Sequence, residues 1–236
     1  MIKGQKKKIN KKKGNVFMNK KKVLKIVGIV ILAIIIMLFI YAIRNFIIIK
    51  KLKKNFSKYE NSQNYHITSV SKPTGDVTVT MDYYKKDNNQ VVFMERDTAE
   101  EDLKFTMYDN GERVDLFVDN GKEKTCRLGI DSELIQVNLV NYLETDNNWQ
   151  TFLSSFFAKI YKKNLGQKEC YVVDNFQSPL FLNDADKNEV YLEKDTGLMV
   201  RSIFGETESF REYEFDNIKD EIFVEPNIGE YKILTN

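Results

Sequence analysis

The chain has 236 residues, 36 of them basic and 34 acidic, with one histidine and two cysteines. The near-balance hides a split: residues 1–58 hold 17 of the basic residues and none of the acidic ones, which leaves 19 basic against 34 acidic beyond them, a net −15. So acidic a C-terminal part is repelled by nucleic acid and by anionic lipid or wall polymer, which argues against all three as its partners.

Ile26 to Ile43 is an unbroken run of eighteen residues without a charge, an asparagine or a proline. A helix of that length crosses a hydrocarbon core of roughly 30 Å, because its backbone groups are satisfied internally. Eleven lysines lie between Lys3 and Lys25, and Arg44, Lys50, Lys51, Lys53, Lys54 and Lys58 follow the run. The larger basic excess is N-terminal, so the N-terminus is expected in the cytoplasm and the rest of the chain outside the cell membrane. The core is longer than that of a cleaved signal peptide, and Ile40-Tyr41-Ala42 makes a poor cleavage site; an uncleaved, single-pass signal anchor over residues 23–49 is expected. Residues 1–22 form its basic cytoplasmic tail. Met18-Asn19-Lys20-Lys21-Lys22 is itself an ordinary start for such a segment, so residues 1–17 stand as an alternative untranslated stretch. Arg44 and Asn45 interrupt a further apolar stretch, Phe46 to Ile49, and Arg44 is expected to snorkel to the outer headgroups.

Residues 50–236 are enough for one domain with a core of its own. Lys50 to Glu60 reads as a helix ended by Asn61 to Asn64, after which the period changes to two. His66 to Val70 is a short strand. Asp76 to Tyr84 alternates, with Val77, Val79, Met81 and Tyr83 on one face. Gln90 to Arg96 follows, then Leu103, Phe105 and Met107 on one face of the next strand, and Val114, Leu116 and Val118 on another. Asp109-Asn110-Gly111 and Asp119-Asn120-Gly121 separate alternating runs, and Asn-Gly supplies the positive φ angles of tight hairpins. The result is an antiparallel meander with one apolar face that needs a cover. Two stretches offer one. Ser132 to Leu143 is a helix candidate, and Asn147 to Lys163 a stronger one, with Trp149, Phe152, Leu153, Phe156 and Ile160 at spacings of three and four. Strands resume after Gly166: Glu169 to Val173, Glu189 to Glu193, Leu198 to Phe204 and Phe210 to Phe215, with a closing segment from Glu221 to Pro226. The fold class expected is α+β, one twisted sheet with helices on a single concave side.

The run Tyr191-Leu192-Glu193-Lys194-Asp195-Thr196-Gly197-Leu198-Met199-Val200-Arg201, the phrase Arg211-Glu212-Tyr213-Glu214-Phe215-Asp216-Asn217-Ile218 and the closure Phe223-Val224-Glu225-Pro226 resemble the ending of the LolA-like, lipoprotein-carrier superfamily. The resemblance covers roughly residues 50 to 228. It implies a half-open antiparallel β-barrel whose concave apolar face, lidded by helices, receives acyl chains or another greasy ligand. A membrane anchor sets this chain apart from the soluble shuttles, leaving local lipid handling, sensing or partner binding. On that reading Val79, Met81, Phe105, Met107, Trp149, Phe152 and Phe156 line the ligand space; as ordinary core they would do no more than pack. The rival is an interaction module of a cell-envelope protein complex, its concavity filled by its own side chains.

No nucleophile elbow, zinc-binding H-E-x-x-H, C-x-x-C or phosphate-binding glycine loop is present, so neither catalysis nor a cofactor is expected. His66, alone, reads as a surface or packing residue. Asp184, Asp186 and Asn188 match the first positions of a calcium loop, but Glu189 stands where the sharp turn needs glycine, and a hairpin loop is the better reading. Cys126 and Cys170 fall in predicted strands of an exported domain. Two buried thiols are one alternative; a disulfide, worth about 4 kcal/mol in the chain-entropy account, is the favoured one.

Overall fold

A computed structural model describes residues 20–73, 77–98, 102–130, 139–145, 147–174 and 188–234. The chain forms two compact units, Met1–Ile40 and Tyr41–Asn236. In the first, helix α1 (Lys20–Phe56) begins, and its apolar stretch is long and hydrophobic enough to cross a membrane. Among its described residues the side chains from Ile26 to Ile40 are largely exposed, as a helix that is apolar all round requires of its surroundings.

The second unit takes in the C-terminal end of α1, which belongs to its core. Ala42, Asn45, Ile49, Leu52 and Phe56 are all buried. Among the described residues a sheet of twelve strands makes up most of this unit. In chain order β1 (Asn64–Lys72), β2 (Thr78–Lys86), β3 (Asn89–Asp97), β4 (Leu103–Asp109), β5 (Val114–Asp119) and β6 (Lys124–Ile130) form the meander. After helix α2 (Asn148–Phe157) come β7 (Lys159–Leu165), β8 (Lys168–Asp174), β9 (Asn188–Glu193), β10 (Met199–Phe204) and β11 (Thr207–Phe215). The short β12 (Lys232–Ile233) follows two single-turn 3-10 helices, Asp220–Phe223 and Ile228–Glu230. The order across the sheet is β12-β6-β5-β4-β3-β2-β1-β11-β10-β9-β8-β7, an open arrangement that is antiparallel throughout except for β12 against β6. The two halves of the sheet join where β1 pairs with β11, Tyr65 opposite Phe215 and Val70 opposite Phe210.

The two Asx-Asn-Gly turns close hairpins as expected, with one difference. Only Gly111 (φ 81°) and Gly121 (φ 76°) are left-handed. Asn110 and Asn120 contribute their side-chain oxygens, which accept from the two amides that follow the glycine.

The helix expected over Asn147 to Lys163 ends at Phe157. Asn147 caps it, its Oδ1 accepting from Gln150 N at 2.9 Å, but Ala158 is extended and the chain continues as a strand. Ile160 shares a helical spacing with Phe156 and equally fits a strand whose Lys159 is exposed and Ile160 buried. The tight return at Gly166 (φ 58°) decides for the strand, since it lets β7 pair with β8 over its whole length. Of the helix candidate Ser132 to Leu143, residues 139–143 are described and are not helical; the remainder lies outside the described residues, as does most of the Asp184 loop.

Cys126 and Cys170 are free, buried thiols. The disulfide does not form because β6 and β8 stand near opposite ends of the strand order. Burial pushes both thiols up, which holds them in the unreactive protonated form.

Candidate functional site

The sheet register brings four of the expected ligand-space residues onto one face. Met81 stands opposite Met94, Met94 opposite Phe105, and Phe105 opposite Val118; one step along, Tyr83, Val92, Met107 and Leu116 form the parallel row. Val79 lies on the same face of β2, two residues from Met81. The inner part of this face is closed: Tyr65, Ile67, Tyr83, Val92 and Val114 are buried together, with Met81, Met107, Tyr213 and Phe215 packed around them. Burial pushes the Tyr83 phenol well up; it donates to Gln90 Oε1. Tyr213 donates to the Met199 carbonyl at 2.8 Å and is pushed up to about 12, chiefly by burial. Towards the other end of the strands, Val79, Met81, Met94, Leu103 and Phe105 are only half-buried.

The same face of β7–β10 is covered by α1. Ile49 and Leu52 are buried with Ile160, Tyr171, Val173, Leu192 and Met199. Gly197 (φ 74°) in the β9–β10 turn touches the helix so closely that a Cβ there would collide with the Leu52 carbonyl oxygen.

Trp149, Phe152 and Phe156 are elsewhere. Helix α2 lies along the C-terminal part of α1: Phe152 meets Phe46 edge-on at 5.8 Å, and Trp149 and Phe156 flank Phe152 at 6.0 and 5.2 Å. Its buried residues are Thr151 and Ser155, whereas Trp149 is 65 % exposed. The structure thus gathers the four strand residues into one group and the three helix residues into another. Spacing on each element was readable in sequence; which helix would cover which strands was not.

The protein matches no protein-family profile. No curated protein matches it either. Among solved structures it is similar to the crystal structure of MucB in complex with MucA(peri), at 11 % identity and a TM-score of 0.35, over 79 % of this chain and 62 % of that one. This chain therefore spans less than two thirds of that structure's length. A DUF1329 family protein from Desulfovibrio piger is similar at 11 % identity and a TM-score of 0.29, over 78 % of this chain and 97 % of that one.

On the opposite face of the sheet His66 is packed rather than poised. Its ring stacks on Tyr84 at 4.0 Å, and its Nε2 lies 2.9 Å from Asp82 Oδ1, which also accepts from Thr68 at 2.7 Å. Among the described residues no group of histidine, cysteine and carboxylate side chains is arranged to hold a metal ion. Arg44 is exposed, and its Nη1 donates to the Ile160 carbonyl at 3.3 Å.

Proposed function

We propose that the protein is a single-pass membrane protein with its N-terminus in the cytoplasm, and that its extracytoplasmic, LolA-like domain binds a lipid or another apolar ligand without catalysis. The observation that supports this most is the half-buried apolar patch of Val79, Met81, Met94, Leu103 and Phe105, on a face whose other half is sealed by a helix. A closed core would bring these side chains to full burial, since each apolar residue left part-wet forgoes much of the ~1.5–3 kcal/mol its burial can yield. Methionines suit such a surface, being flexible enough to follow an acyl chain of any shape. Anchored by an apolar helix long enough to span a bilayer, the domain would sit beside the membrane and a lipid ligand would have a short route to it.

The test is photolabelling of the full-length chain in nanodiscs with a fatty acid bearing a diazirine, followed by mapping of the adducts. Adducts on peptides carrying Val79, Met81 and Phe105 are expected, and Phe105→Glu should remove them. Labelling confined to α1, the signature of surrounding bilayer lipid, would defeat the ligand reading and leave an interaction module of an envelope complex.

A further inference from the structure

Helix α2 half-buries Phe152 and Phe156 against its surroundings and also carries an apolar stripe outward. The residues it buries are Thr151 and Ser155, while Trp149, Leu153 and Phe157, successive at four-residue intervals and hence on one stripe, are 65, 42 and 60 % exposed. In water this arrangement wastes the apolar stripe. Between helices in a bilayer it is the ordinary one, with small and hydroxylated residues inside, a polar side chain across the seam and apolar residues outward.

The partner surface on α1 fits that description. Asn45, fully buried, donates through Nδ2 to the carbonyls of Ser155 at 3.1 Å and Ala158 at 2.8 Å. Tyr41 Oη also donates to Ala158 O, at 2.8 Å, and Arg44 takes the Ile160 carbonyl. Carbonyls at a helix C-terminus lack intrahelical partners and would be costly next to lipid. Two polar side chains of α1, Tyr41 and Asn45, satisfy them. Asn45 therefore does not mark the end of the apolar surface: it turns towards α2, and Ile43 and Ile47 remain 47 and 61 % exposed. Arg44, exposed beside them, has a guanidinium that must reach the headgroups or water.

Helix α2 runs antiparallel to α1. Its C-terminal end sits against Tyr41 and Asn45, and Asn148 at its N-terminal end accepts from Lys50 Nζ at 2.8 Å. Trp149 is thus level with the lysines and Phe157 is about two turns closer to the apolar run. A depression of about 600 Å³ is bordered, among the described residues, by Lys50, Lys51, Lys53 and Lys54. Lys159, exposed just after α2, limits the depth, because its ammonium must still reach the headgroups.

We infer that α2 is seated in the outer-leaflet interface of the membrane, its Trp149-Leu153-Phe157 stripe facing the boundary between headgroups and acyl chains. Trp149 then occupies the level at which tryptophan collects in membrane proteins. The inference rests on the proposed anchoring of α1.

Trp149 is the only tryptophan in the chain, so its fluorescence reports the stripe directly. The full chain would be reconstituted at low density into vesicles of phosphatidylcholine and phosphatidylglycerol, and flotation would establish that it is anchored. Lipid brominated near the headgroup end of the acyl chain should quench the emission by at least half, more than lipid brominated near the methyl end, and aqueous iodide should have little effect. The double variant W149F/F157W should be quenched more strongly by the deeper bromines. A floating chain quenched by iodide and not by brominated lipid places the stripe in water and overturns the inference while the anchor stands. A floating chain reached by neither quencher has the stripe covered by protein, which also overturns it. A chain that fails to float overturns the anchor and this inference with it.

Discussion

The two halves of the sheet use one apolar face in opposite ways. Along β7–β10 the face is sealed by α1, whose Ile49 and Leu52 are fully buried against Leu192 and Met199. Along the outer reach of β2–β4 the same face carries side chains of similar character that stay half-buried. Composition does not account for the difference; reach does. Helix α1 covers the strands nearest its C-terminal end, which leaves the meander to be covered by something else.

Changes on the sealed half should do the most damage. Leu52→Ala removes a buried side chain from a close-packed seam and is expected to cost about 2–5 kcal/mol, measured by denaturation of the detergent-solubilised chain. Asn45→Ala should cost about 1–3 kcal/mol, because it strips the Ser155 and Ala158 carbonyls of a donor. A change confined to the open half should be milder. Val79→Ser is expected to cost about 1 kcal/mol or less, since the side chain is part-exposed already, while reducing photolabelling by the fatty-acid probe. If Val79→Ser proved as destabilising as Leu52→Ala, the two halves would be equally closed and the comparison would fail.

Alkaline pH gives a further contrast between the halves. Tyr213, at their junction, keeps its proton when folded to about pH 12, against an ordinary value of 10.0. Its contribution is fully present below pH 10, and as pH rises from 10 to 12 the unfolded chain loses the proton first, so stability falls. Tyr213→Phe should flatten that fall between pH 10 and 12, read as the midpoint of urea unfolding at each pH.

Much of the meander was legible in the sequence. Alternation in β2, β4 and β5 and the two Asn-Gly turns specified those strands and their apolar face, because hairpin pairings are local. The end of α2 was not legible: Phe156 and Ile160 satisfy a helical and a strand pattern alike, and the pairing of β7 with β8 arbitrates. Nor was the domain's use of α1. A helix apolar all round has no stripe to announce which side is buried, and Arg44 and Asn45 read as an exit from the membrane when their partners are carbonyls more than 100 positions away. The fate of Trp149, Phe152 and Phe156 followed from that: with α1 in the place of the cover, α2 packed on the helix instead of the sheet.

That separation has a consequence in time. Asn45 waits 113 residues for the Ala158 carbonyl, and at ~5–20 residues per second the ribosome needs on the order of ten seconds to supply it. Over that interval the meander, built from neighbouring hairpins, can fold, while the C-terminal end of α1 holds an unmatched amide and bare Ile49 and Leu52. The strands made after α2 are thus the ones that lock α1 to the sheet. A nascent chain arrested before Asn147 would be an apolar helix trailing half a sheet, the state in which a protease or chaperone has most to grip.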